Sequence, residues 1–156
     1  MEDGLNGMNG DLFRIKKNMI FIIFILTLSA CSEIHVGEVK EIEVKKWIGK
    51  NVQADSEFIV KEETINQFVE ATNGAEKLEN QNVIKTPPVL TYTIVLEDGE
   101  GRGYHLWLTK DGKGYIQSLI EEDSLTYRLK EESVAALKKD IEEAGGVEPT
   151  GEIEFE

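Results

Sequence analysis

A stretch in the middle of the chain, positions 89–129, constrains its fold more tightly than any other. Between positions 89 and 129, short apolar runs alternate with turn residues. Residues 89–96 place Leu90, Tyr92, Ile94 and Leu96 on one side and Thr91 and Thr93 on the other. That is the period-two pattern of a half-buried strand. Glu97-Asp98-Gly99 follows as a turn, extended by residues 100–103, and Tyr104-His105-Leu106-Trp107-Leu108 reads as the next strand. Asp111-Gly112-Lys113-Gly114 is a second turn. Residues 115–120 and 125–129 are two more strands, separated by Glu121-Glu122-Asp123-Ser124. Asp-Gly pairs between apolar runs signal hairpins, because glycine accepts the positive φ that a tight turn needs. Four strands in succession predict an antiparallel meander.

The flanks add strands before it and a helix on each side. Residues 39–47 alternate around Ile42 and Val44, and Glu57-Phe58-Ile59-Val60 is a shorter strand candidate. Gly49, Asn51, Asp55 and Ser56 between them are turn residues. Residues 63–73 predict a helix, since Ile65, Phe68, Val69 and Thr72 fall at i, i+3, i+4 and i+7. Glu62 and Glu63 suit its positive end, Thr64 is a candidate cap, and Gly74 stops it. Residues 79–86 are polar and precede Pro87-Pro88, which predicts a loop. A second helix is predicted over 131–143, with Val134, Leu137 and Ile141 as its apolar stripe and Gly145-Gly146 as its stop. Residues 144–156 are acidic and glycine-bearing, and read as a flexible tail, although Ile153 and Phe155 alternate with glutamates as in a strand. The fold class is therefore α+β: one domain over 38–143, with a four-stranded meander, one or two N-terminal strands, and two amphipathic helices on one sheet face.

Residues 19–30 are nearly all apolar and follow Arg14, Lys16 and Lys17. Twelve residues fall short of the roughly 17–25 that a membrane-crossing helix needs. A basic segment followed by a short apolar one is the layout of a secretory signal. It ends in Leu28-Ser29-Ala30-Cys31, which resembles a bacterial lipobox. That resemblance implies cleavage between Ala30 and Cys31 and a diacylglycerol thioether on Cys31, with residues 31–37 as a lipidated tether. Two acyl chains anchor stably where one binds only marginally. The lipid bilayer is then a partner through the Cys31 acyl chains, and the domain lies on the extracytoplasmic side of the cell membrane. Glu2, Asp3 and Asp11 are unusual in a signal, which points to a true start at Leu12.

Charge and residue counts narrow the function. The chain has 30 acids and 17 bases, a net −13. The first thirty residues hold three of each, so the whole excess belongs to the remainder. Nucleic acid is not an expected partner, since phosphates call for a basic face. One cysteine leaves no internal disulfide framework and no Cys-rich zinc site. The acidic turns at 97–100 and 121–123 offer calcium-type oxygens but lack EF-hand spacing, so no metal and no cofactor is expected. Only His35 and His105 are available as imidazole bases, and no Gly-x-Ser-x-Gly elbow exists. No catalytic residue is assigned. His105 and Trp107 share a strand face opposite Tyr104, Leu106 and Leu108. If helices cover the leucine side, His105 and Trp107 form a candidate binding surface for a peptide or glycan. The expected function is a non-enzymatic, membrane-anchored interaction domain meeting an envelope protein. A small envelope enzyme or inhibitor is the alternative.

The order of segments resembles small lipoproteins of Gram-positive bacteria with a YhfM-like domain. The resemblance rests on Phe68-Val69-Glu70-Ala71, Tyr92-Thr93-Ile94-Val95-Leu96 after two prolines, Tyr104-His105-Leu106-Trp107-Leu108, Gly114-Tyr115-Ile116 and Tyr127-Arg128-Leu129. It implies a secreted, membrane-anchored domain and carries over no catalytic residues. Such domains carry Ser or Thr as a helix cap after the Tyr-x-Leu, where this chain has Lys130.

Overall fold

The computed structural model describes residues 34–53, 56–79, 84–120, 125–144 and 146–156. Residues 1–33, including Ala30 and Cys31, lie outside the described residues, as does the acidic turn at 121–123.

Eight strands are described: β1 (Val39–Ile48), β2 (Asn51–Val52), β3 (Phe58–Ile59), β4 (Glu76–Lys77), β5 (Leu90–Leu96), β6 (Gly101–Leu108), β7 (Gly114–Ser118) and β8 (Thr126–Arg128). The helices are α1 (Glu62–Asn73) and α2 (Glu131–Glu143). The strand order is β2-β1-β5-β6-β7-β8-β4, with β3 also against β1, and every named pair is antiparallel. The chain is thus α+β, and the sheet is larger than the meander read from sequence. That meander, β5 to β8, is its centre. On one side β1 runs along β5, from Val39 opposite Leu96 to Lys46 opposite Leu90. On the other side β4 closes the sheet, with Glu76 opposite Arg128. The sequence did not reveal β4: it is two exposed charged residues with no apolar alternation.

The β6–β7 turn has Gly112 at φ 83°, as the Asp-Gly pair predicts. Helix α1 starts one residue earlier than expected. Its cap position is Lys61 rather than Thr64, and no side chain caps it; Lys130 likewise provides no side-chain cap for α2. The acids in each first turn, Glu62 and Glu63 in α1 and Glu131 and Glu132 in α2, face the positive end of the dipole instead.

Both helices pack on the sheet face that carries Ile42, Val44, Leu90, Tyr92, Ile94, Leu106 and Ile116. From α1 come Phe68 and Ala71, and from α2 Val134, Leu137 and Ile141. The Phe68 ring meets Tyr92 edge-on at 5.2 Å, and Tyr92 stacks on Tyr104 at 5.2 Å. Thr72 donates its hydroxyl proton to the Phe68 carbonyl at 2.7 Å, so Tyr92 is the donor in their 2.8 Å bond. Burial raises the Tyr92 phenol far above its ordinary range, which keeps that donor protonated. Helix α2 lies tight against Gly114, where a Cβ would be 2.6 Å from Val134 Cγ2.

Two segments expected to be loose are packed. In the tether, Ile34 rests on the core and Val36 is buried. The Val36 amide donates to Asn73 Oδ1 at 2.6 Å, and the His35 carbonyl accepts from Arg102 Nη1 at 2.8 Å. The signal is the period-two spacing of Ile34 and Val36. Within the expected flexible tail, Thr150 donates to Leu108 O at 2.8 Å and accepts from the Lys110 amide at 3.0 Å. Further on, Glu154 O accepts from the Lys85 amide at 2.9 Å, and Phe155 meets the Tyr115 ring at 5.6 Å. Here the Ile153/Phe155 alternation outweighs the glycine and charge content.

Candidate functional site

The sheet face turned away from the helices carries Thr91, His105 and Gln117 together with Trp47, Trp107 and Tyr115. Strand alternation puts them there: residues at odd positions of β5, β6 and β7 point opposite the core. Register then aligns them. Thr91 lies across from His105, His105 from Gln117, and Trp107 from Tyr115.

His105 is the centre of this group. Its Nδ1 is 2.8 Å from Thr91 Oγ1, which accepts the indole N–H of Trp47 at 2.8 Å. Trp47 and Trp107 meet the imidazole edge-on from two sides, at 5.5 and 5.8 Å. Burial holds the imidazole below its ordinary pKa, so the ring is neutral at pH 7. The partners that position it are a hydroxyl and two indoles.

Trp107 is not the exposed platform that the sequence suggested. It is 1% exposed, and its indole N–H donates to Thr86 O at 2.7 Å. The segment around Ile84 and Thr86 lies over it, a cover the sequence hid because residues 79–86 read only as a polar loop. Exposed large apolar residues lie instead along the β1 edge, where Ile48 is 66% exposed, Val52 44% and Ile59 63%, and just past β7, at Leu119 and Ile120. Half-buried Trp47 stands cross-strand from Val52. Beside it is an open groove of about 690 Å³, bounded by Trp47, Ile48, Pro87, Pro88, Val147 and Pro149. Its sequence signals were present but ambiguous. Trp47 reads as the last residue of a strand, and Pro87-Pro88 as the end of a polar loop.

The remaining candidates do not converge. His35 is exposed on the arm before β1. In the 97–100 turn, Asp98 Oδ1 accepts the Glu100 amide at 2.9 Å, a local bond within an exposed turn. Among the described residues, no group of three or more His, Cys, Asp or Glu side chains is placed to hold a metal ion. No described helix is long and apolar enough to cross a membrane. Between the helices, Gln67 Oε1 and Asp140 Oδ2 are buried without a hydrogen-bond partner, in a cleft of about 290 Å³ that also includes Glu63 and Glu143. Burial, with Glu143 adding to it, raises the Asp140 carboxyl above its ordinary range.

No curated protein and no solved structure matches the chain. A family model described as YhfM protein matches residues 39–145. The match begins with β1 and ends just beyond α2, and so covers the whole sheet and both helices. The chain belongs to the YhfM family.

Proposed function

We propose that this chain is a lipid-anchored lipoprotein on the outer side of the cytoplasmic membrane, and that its domain binds another envelope component without catalysing a reaction. The anchoring half rests on the basic-then-apolar leader and on Leu28-Ser29-Ala30-Cys31. The binding half rests on one observation. His105, the imidazole placed mid-sheet, is a fixed structural wedge between Trp47, Thr91 and Trp107, while apolar side chains lie open along the adjoining β1 edge. An open aromatic and proline-lined groove suits recognition of a polymer or protein surface.

Two measurements test the reading separately. Cys31→Ala should abolish incorporation of labelled fatty acid and leave an unprocessed precursor; normal labelling would defeat the anchoring claim. For the domain, site-specific photo-crosslinking from position 48 in intact cells should trap a defined envelope component, and Trp47→Ala should remove that product. A hydrolase activity in the purified protein that disappears in His105→Ala would favour the enzyme alternative.

A further inference from the structure

We propose that residues 146–156 form a displaceable strap occupying a peptide-binding surface, and that this surface accepts an extended acidic peptide with an aromatic side chain. The proposal deepens the binding-module reading and rests on it. The family match stops at residue 145, so the strap lies outside the matched domain and is laid over it. It is held the way a bound peptide is held. One end bonds through its backbone to the end of β6, Thr150 to Leu108 O and Lys110 to Thr150 O. The other end bonds to the 84–86 segment, with Lys85 donating to Glu154 O and the Glu154 amide to Thr86 Oγ1 at 3.0 Å. The strap is rooted at its start, where Val147 packs against the core and the Gly146 amide donates to Ile141 O at 2.8 Å. Beyond that, its β-pairing to the domain is two isolated bridges, Thr109 with Thr150 and Ile84 with Phe155.

Side chains supply the specificity. Phe155 sets its ring against Tyr115, and Ile153 is half-buried beside it. The strap carries Glu148, Glu152, Glu154 and Glu156, all exposed. The surface beneath offers Lys85, 3.7 Å from Glu156, and the exposed Lys110. Near Lys110, Lys113 is paired with Asp111 at 2.7 Å, so the basic excess beneath the strap comes from Lys85 and Lys110. The fit is incomplete: an open groove of about 490 Å³ remains between the strap and the 109–113 turn, with Tyr115 and Phe155 on its walls. Backbone pairing to an exposed strand end, with side-chain pockets for selectivity, is a recurring mode of peptide capture. A covalently attached occupant competes at an effective concentration that reaches the millimolar range for short linkers. A free peptide then binds only when the strap is weakened or when the peptide fits better.

The test uses the full-length mature chain and a fluorescent peptide of residues 149–156, Pro-Thr-Gly-Glu-Ile-Glu-Phe-Glu. Phe155→Ala in the protein should leave its circular dichroism unchanged and tighten peptide binding at least tenfold over wild type. Raising salt from 50 to 500 mM should weaken that binding. In wild-type protein the Thr150 and Glu154 amides should exchange with deuterium at least a hundredfold faster than those of Tyr92 and Leu106. Three outcomes overturn the proposal: equal peptide binding by folded wild type and variant, core-level protection of Thr150 and Glu154, or a dimer formed by strap exchange between two chains. A failure here with crosslinking from position 48 intact would remove the strap and leave the binding module standing.

Discussion

The two faces of the sheet are built on different principles. The helix-covered face is closed by side-chain volume: Leu90, Ile94, Leu106 and Ile116 are fully buried beneath two amphipathic helices. The opposite face is closed only in part, by the 84–86 segment and residues 146–156, through scattered backbone bonds and a few rings. Burial of apolar area dominates the first, at about 25 cal/mol per Å² removed from water. Individual hydrogen bonds, each worth about 1 kcal/mol net, count for more on the second. One face therefore holds the fold, and the other has freedom to carry function.

Mutations on the two faces put that contrast to the test, beginning with the largest effect. Leu106→Ala should lower the unfolding free energy by about 3 kcal/mol through transfer and cavity costs, measured by urea denaturation. A loss under about 1 kcal/mol would mean the helices do not seal this face. Trp107→Phe keeps an aromatic ring but leaves Thr86 O without its indole donor, and should cost about 1–2 kcal/mol. A cost equal to that of Leu106→Ala would make the outer face a second core.

Titration sharpens the comparison further. The folded-state pKa of His105 is depressed, so below pH 6.5 the unfolded chain takes up the proton more readily. Stability should fall as pH drops below 6.5 and level off below the folded pKa. His105→Gln should flatten that part of the profile. Asp140 behaves in the opposite sense. Its folded pKa is raised, so its charge opposes folding above that pKa, and the penalty disappears in acid. Asp140→Asn should stabilise the protein at pH 7 by at most about 0.5 kcal/mol, and by nothing measurable near pH 3, as read by thermal melts.

Legibility in the sequence follows the same division. The helix-facing side announced itself, because Leu90, Tyr92, Ile94 and Leu96 obey the strand period and Val134, Leu137 and Ile141 the helical one. Such patterns are written by burial, which repeats along an element. The outer face rests on long-range single contacts that leave no period. Nothing local in Trp107 indicates that Thr86, 21 residues away, takes its indole proton. Nor does the short strand β4 show a pattern, since its two residues are exposed and join the sheet only through β8. Strand alternation puts His105 on one face with Trp107, but no local pattern ties Trp47 to them. It reaches the group through Thr91, 44 residues distant.

The chain has two tryptophans, and both rings sit edge-on within 6 Å of the same imidazole. An imidazolium quenches a neighbouring indole far more than a neutral imidazole does. Intrinsic tryptophan emission should therefore change as His105 takes up a proton. The protein carries its own optical indicator at the middle of its outer face. A ligand settling against Trp47 would register there as a spectral change, with no label attached.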